Sequence, residues 1–347
     1  MLATASHGGW RTQVRRAPGA TAPKSGCLTE ASGPRPVKTE AQALKLAGAG
    51  ALGAAVRRRY RRGEGRCQLF SGDPGSRCYI VQSIPGKGAG AVATRPLTAG
   101  ELLAEEEPLL QWSGEDQDQV QQLFDALPLH KQSAMMDLQD SYAHNDAKKT
   151  LLGVVCTNSF TFQNEEDERC LYLEISRFNH SCRPNCEGSW DDRLGLLQVY
   201  ACEDIPSGDE LCLFYTDVRK PRQLRQEKLQ TLGFTCACPV CRAADPASDK
   251  RRERLWQLVE EIPSCEDPEQ ALGLIRESFE LSDAEGLNIS CFREVAAYQA
   301  YTSCLSMGCT EEAGKWIQRA YEFSLKGHGP YHATTKIVSR HASRYRS

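Results

Sequence analysis

Three cysteines within six residues, Cys236-Ala237-Cys238-Pro239-Val240-Cys241, are the part of this sequence best suited to holding a metal ion. Thiolates at this C-x-C-x-x-C spacing reach one ion without closing a long loop, and tetrahedral zinc then needs a fourth ligand. The next cysteine downstream is Cys265, so the fourth ligand is expected from elsewhere in the chain. Cys182 and Cys186, in Asn179-His180-Ser181-Cys182-Arg183-Pro184-Asn185-Cys186, are the upstream candidates. A thiolate from that stretch would let the ion pin a mid-domain loop to a C-terminal segment. Reduced buried cysteines without a metal are the weaker reading for three thiols so closely spaced.

Other candidates are less specific alone. Gly86-Lys87-Gly88-Ala89-Gly90 is a glycine-rich turn whose backbone could approach a ligand without a Cβ clash. A lone histidine such as His180 is more often a satisfied core residue than a functional one. No Asp-His-Ser or paired-carboxylate arrangement suggests hydrolytic chemistry.

These residues must be positioned by a fold, and the composition sets its class. At 347 residues, 40% hydrophobic and 25% charged, the chain reads as ordinary globular protein. The most apolar N-terminal run, Leu44 to Val56, is short, rich in Ala and Gly and followed by Arg, so no membrane span is expected. Sixteen cysteines without an apolar leader fit a reducing compartment and a metal better than a disulfide scaffold. The net charge of -3 hides an asymmetry. Residues 1–66 carry thirteen Lys or Arg against Glu30, Glu40 and Glu64, which leaves the rest acidic.

Residues 1–76 are expected to be a disordered basic segment, since they show no hydrophobic period. Their run Arg57-Arg58-Arg59-Tyr60-Arg61-Arg62 reads first as a solvated linker, with a nuclear import signal or a phosphate-binding patch as alternatives, and the Arg- and Ser-containing stretch before the first acid, Glu30, allows a mitochondrial presequence, although its amphipathic pattern is poor. From Cys78 short strands are expected: Tyr79-Ile80-Val81, pieces of Leu97 to Leu110, and a strand pair at Gly195 to Cys202 and Glu210 to Tyr215. Leu151 to Phe162 and Leu171 to Phe178 read as strand-like or buried short segments. Val120, Leu123, Phe124 and Leu127 give an insert at about 112–155 a helical period.

Beyond Cys241 the period is helical throughout. The expected faces are Leu255, Leu258, Val259 and Ile262; Leu272, Ile275 and Phe279; Phe292, Val295, Tyr298, Tyr301 and Leu305; and Ala313, Trp316, Ile317 and Ala320 behind a Thr310 cap. The fold class is therefore α+β: small β-sheets and a zinc-binding segment, followed by an all-α, tetratricopeptide-like bundle.

Asn179-His180-Ser181-Cys182-x-Pro184-Asn185, Gly208-Asp209-Glu210-Leu211 leading to Tyr215, and Gly233-Phe234-Thr235-Cys236-x-Cys238-x-x-Cys241 resemble, in order and spacing, the SET and post-SET motifs of protein lysine methyltransferases. The glycine-rich turn with Gly100-Glu101 looks like the first SET motif. The likeness covers residues 77–241 and is nearest to the SET-and-MYND subfamily and its fungal-type relatives. It implies a SET fold around a knotted C-terminal segment, with SET at 77–217 (the helical insert within it), post-SET at 218–246 and helices at 247–347. One departure matters. Where the subfamily carries a Cys/His-rich zinc finger, this insert has no cysteine, so partner binding by that finger does not carry over.

The resemblance implies S-adenosylmethionine as cofactor, lined by Gly86, Lys87, Gly88, Ala89, Asn158, Asn179, His180, Tyr215 and Phe234. It implies a structural zinc on Cys182, Cys236, Cys238 and Cys241, and Tyr215 as the catalytic residue. Methyl transfer is an in-line displacement and asks chiefly for alignment and for oxygen acceptors around the methyl. An apolar wall, with Phe160, Phe214 and Tyr215 as candidates, would help the lysine shed its proton. The implied substrate is a lysine of a histone or nonhistone protein, met in cytoplasm and nucleus by a monomer, with nucleic-acid contact confined to the basic N-terminal segment. A catalytically weak SET fold serving as a zinc-containing interaction module is the competing reading. The retained cofactor-site residues favour the enzyme.

Overall fold

The computed structural model describes residues 77–114, 116–143, 148–161 and 168–345. The N-terminal segment and its basic run lie outside these residues. The chain opens with a hairpin of β1 (Tyr79–Ile84) and β2 (Gly88–Ala93), paired antiparallel from Tyr79 with Ala93 to Ile84 with Gly88. Gly86 and Gly88 have φ of 73° and 74°, a conformation that favours glycine and allows the tight reversal.

A second sheet has the order β3 (Leu102–Glu106), β9 (Leu196–Ala201), β8 (Cys186–Asp191). A third has the order β4 (Leu110–Ser113), β6 (Glu168–Leu171), β5 (Ser159–Thr161). Between β4 and β5 run α1 (Gln117–Asp125), α2 (Leu129–Met136) and α3 (Leu151–Asn158). The first two fall where the helical period put them. Leu151 onward reads as strand-like or as a buried short segment, and it is a helix with Gly153, Val154 and Val155 buried, followed by the strand β5. Thr150 caps the turn through Oγ, which accepts from the Gly153 N–H at 3.0 Å, and Val154 and Val155 then pack on Leu110, Trp112 and Met135.

The remaining pairing is the key to the site. β10 (Cys212–Leu213) runs parallel to β7 (Asn179–His180), Cys212 opposite Asn179 and Leu213 opposite His180. On its other side the same segment bonds β2, with Leu211 N–H donating to Ala91 O at 2.8 Å and Ala93 N–H to Asp209 O at 2.9 Å. Residues 208–213 are thus drawn between the N-terminal hairpin and the mid-chain loop. The side chain of Asn185 secures them, its Nδ2 donating to Glu210 O at 2.9 Å and its Oδ1 accepting from Cys212 N–H at 2.8 Å. Here a second expectation changes. The segments at 195–202 and 210–215 do hold strands, but β9 pairs with β3 and β8, and β10 with β7.

After α4 (Arg222–Gln230) and the short α5 (Pro239–Ala243), five helices complete the chain: α6 (Pro246–Ser264), α7 (Pro268–Ala284), α8 (Ser290–Ser306), α9 (Thr310–His328) and α10 (Ala333–Ala342). α6 and α7 start cleanly, with Asp245 and Asp267 accepting from first-turn N–H groups and Pro246 and Pro268 at the first helical position. Each helix packs on the next, around Leu272, Ile275, Phe279, Trp316 and Ile317. The buried face of α8 differs from the expected one. It is Glu294, Ala297, Ala300, Tyr301 and Cys304, while Leu305 is exposed, because small residues let α8 and α9 approach closely. α9 begins at Thr310 with Cys309 in the capping position and no side-chain cap bond. No helix of the described residues is long and apolar enough to cross a membrane.

Candidate active site and metal centre

The parallel β7–β10 pairing sets the first shell of side chains. Asn179 and His180 leave one strand side by side, and Tyr215 follows β10 two residues beyond its end. The Tyr215 N–H donates to His180 Nδ1 at 3.0 Å. That bond leaves the proton of the neutral imidazole on Nε2, which faces Cys182 Sγ at 3.3 Å. Burial holds the ring neutral, with its pKa lowered to about 3. His180 therefore joins the cysteine cluster to the tyrosine. The Tyr215 hydroxyl donates to Phe178 O at 2.7 Å, and burial pushes its pKa well above the ordinary phenol value.

The glycine turn stands on the other side of Asn179. Asn179 Nδ2 donates to Ala89 O at 3.1 Å and to Glu210 Oε1 at 2.9 Å, and Glu210 Oε2 accepts from Lys87 Nζ at 2.5 Å. Lys87, Ala89, Asn179 and Glu210 thus form one polar network. Glu210 had been noted only as part of a motif, and its pairing with Lys87 spans 123 positions. A Cβ at Gly86 or Gly88 would meet no atom within 4 Å, so the turn faces open space. At Gly90 a Cβ would come within 2.6 Å of Ile84 and 2.7 Å of Asn179 Nδ2, so the third glycine serves close packing.

Phe234 lies at this site and is 36% exposed, its ring centroid 6.4 Å from Tyr215 and 6.3 Å from His180. Gly233, at φ 84°, lets the chain pass 2.5 Å, at an added Cβ, from Ser141 of the insert. Asn158 is placed differently from its companions. Its amide donates to Gln139 O and Val154 O, both at 2.7 Å, and so ties the insert to α3. Of the expected wall residues, Phe160 sits edge-on to Tyr172 at 5.3 Å, whereas Phe214 turns to the helices and packs on Phe292. A cavity of about 430 Å³ among α6, α7 and α8, lined by Arg219, Leu255, Phe279 and Phe292, includes none of these cofactor-site candidates.

The sulfurs of Cys182, Cys236, Cys238 and Cys241 are all buried and lie within 4.8 Å of one another. Zn–S bonds of about 2.3 Å in a tetrahedron require sulfur–sulfur edges of about 3.8 Å. Cys182 stands 3.5 Å from Cys241 and 3.9 Å from Cys236, so the donor set fits zinc in type, number and size. Of the two upstream candidates Cys182 joins the cluster, and Cys186 is buried in the sheet core beside Asn185. α4 frames the ligand loop: Gln226 donates to Cys236 O and accepts from Cys236 N–H, and Arg222 Nε donates to Cys241 O at 3.1 Å.

The SET domain family profile matches residues 88–216. The chain is 29% identical over 248 residues to histone-lysine N-methyltransferase set5 of Schizosaccharomyces pombe, covering 70% of this chain and 76% of that protein. It is 30% identical over 193 residues to histone-lysine N-methyltransferase SMYD3 of Homo sapiens, covering 51% of this chain and 44% of that protein. It is 41% identical over 91 residues to protein-lysine N-trimethyltransferase SMYD5 of Gallus gallus, covering 24% of this chain and 22% of that protein. The chain therefore spans less than half of the two SMYD proteins. The motifs, the placement of residues 208–213 and these matches agree: residues 88–216 form a SET domain, and the chain is similar to lysine methyltransferases, the SMYD proteins and their fungal relatives.

Proposed function

We propose that the protein transfers a methyl group from S-adenosylmethionine to a lysine side chain of another protein, with Tyr215 as its catalytic residue. The observation that carries this reading is the convergence of Asn179, His180, Tyr215 and the open Gly86–Gly88 turn around one strand pair. When bound, the cofactor supplies an electrophilic methyl on a sulfonium. Gly86, Lys87, Gly88 and Ala89 would hold it through their backbone, with Asn179, His180 and Phe234 beside them, and Asn158, whose amide nitrogen is already engaged by Gln139 O and Val154 O, would offer its side-chain oxygen.

Tyr215 spends its proton on Phe178 O, so the oxygen's remaining capacity is as an acceptor. It can therefore orient a methyl C–H or the incoming amine while staying neutral. Alignment of this kind supplies several kcal/mol of the barrier reduction. The buried Tyr172 ring and the half-buried Phe160 ring beside it would give the amine an apolar wall that favours its uncharged, nucleophilic form. A zinc held by Cys182, Cys236, Cys238 and Cys241 would be structural, and these ligands would join the His180 loop to the post-SET segment.

The test is transfer of labelled methyl from S-adenosylmethionine to purified histones and to a cell-protein extract, the histones chosen because set5 and SMYD3 are named for them. Label with the wild type and none with Asn179→Ala is expected. Zinc-loaded wild type that neither binds the cofactor nor transfers label would overturn the reading in favour of an interaction module.

A further inference from the structure

Four thiolates around one zinc ion leave a net charge of about -2. A centre buried this deeply needs positive partners, since charge removed from water is costly unless it is compensated. Besides the half-buried Arg222, two arginines near the centre are the largest fully buried side chains among the described residues: Arg225 at 1% and Arg252 at 0% exposure. Arg252 has a carboxylate, with Nε donating to Glu285 at 2.7 Å. Arg225 has no ion-pair partner among the described residues. One terminal nitrogen donates to Lys220 O, Nε has no partner, and the guanidinium interacts electrostatically with the thiols of Cys182 and Cys241. A buried guanidinium without an acid is otherwise unexplained.

The placement is built into α4. Arg222 and Gln226 grip the backbone of Cys241 and Cys236, and Arg225 lies between them in sequence, one helical turn beyond Arg222. We infer that Arg225 is the built-in counter-ion of a tetrathiolate zinc centre, and that its charge, beyond its bulk, sets how firmly the metal is held. This rests on the reading of the four sulfurs as zinc ligands. Because His180 connects Cys182 to Tyr215, Arg225 is a positioning residue for the active site and not a catalytic one.

The experiment follows zinc release from the full-length chain to a chromogenic chelator in wild type, Arg225→Met and Arg225→Lys. Methionine keeps most of the apolar bulk, and lysine keeps the charge. Arg225→Met is expected to release zinc about 10- to 100-fold faster than wild type, the range for loss of a residue that supports metal ligands, while Arg225→Lys stays within a few-fold. After the metal is stripped, the thermal midpoint of Arg225→Met should equal or exceed that of wild type, a result that a merely space-filling role would not give.

Equal release from wild type and Arg225→Met, or Arg225→Lys releasing as fast as Arg225→Met, would overturn the inference. If Arg225→Met does not fold, Arg225→Lys decides: release within a few-fold of wild type supports the counter-ion, and release more than about 10-fold faster refutes it. Zinc content of the wild type, expected at about one per chain, tests the ligand reading separately. A zinc-free wild type overturns both, whereas a zinc-bearing wild type with insensitive variants overturns only the role of Arg225.

Discussion

Replacing Arg252 with methionine separates the helical array from the metal loop. Arg252 lies on α6, is 0% exposed, bonds Glu285 at 2.7 Å and donates to the carbonyls of Cys182 and Val218. Those carbonyls belong to a cysteine of the cluster and to a residue three positions beyond Tyr215. Removing one partner of a buried ion pair costs about 3–5 kcal/mol, chiefly because the other charge is left uncompensated. Here Glu285 keeps Arg251 at 2.6 Å and the Ser248 hydroxyl, so the lower end, about 3 kcal/mol, applies. At about 2–4 °C per kcal/mol for a fold of this size, the midpoint should fall by about 6–12 °C in calorimetry. The double variant Arg252→Met/Glu285→Leu should recover at least half of that, since it strands no buried charge and the partly exposed Arg251 keeps Asp245 at 3.7 Å. A loss below about 1 kcal/mol, or a double variant worse than either single one, would refute the reasoning.

Other consequences are equally open to test. Gly233→Ala places a Cβ 2.5 Å from Ser141 at a φ of 84°, so a loss of about 1–3 kcal/mol in urea unfolding is expected, with weaker cofactor binding because Phe234 follows directly. Trp316→Ala, at the centre of the helical core, should cost about 3–5 kcal/mol; a loss under about 1 kcal/mol would mean that the array is not packed as described. His332 Nδ1 accepts from the Thr334 N–H while Nε2 faces Trp190 O, and burial, with His328 beside it, lowers its pKa from the usual 6.5. Its contribution is therefore complete above pH 6.5 and is lost as pH falls through the lowered folded value. His332→Asn, which retains a cap, should flatten the decline of the urea midpoint below that pH; an unchanged decline would assign it to other groups.

Local chemistry was legible in the sequence, and long-range partnership much less so. The three clustered thiols declare a metal site by spacing, whereas spacing alone leaves Cys182 and Cys186 equivalent, and it is the fold that brings Cys182 to the cluster and Cys186 to the sheet core. β8 carried no alternating apolar pattern because its buried positions include Glu187, Ser189 and Asp191. Helices satisfy two of them: Glu187 accepts from the Ser290 and Cys291 N–H groups at the start of α8, and Ser189 Oγ meets His328 Nδ1 at 2.6 Å. Such a polar face reads as a loop until its partners are known, which is why β9 was given the wrong neighbour. α3 failed for another reason: a short unbroken apolar run fits a buried strand or a helix equally well. Arg225 and Arg252 look like surface residues of polar helices in the sequence, and only their burial beside the thiols reveals them.

The most direct measurement is single-turnover methyl transfer by Tyr215→Phe at saturating S-adenosylmethionine, with cofactor binding followed calorimetrically on the same preparation. The account predicts binding within a few-fold of wild type and a transfer rate reduced at least about 100-fold, because the oxygen fixed on Phe178 is lost while the pocket remains. Transfer by Tyr215→Phe at the wild-type rate would contradict the assignment of Tyr215 and the mechanism built on it.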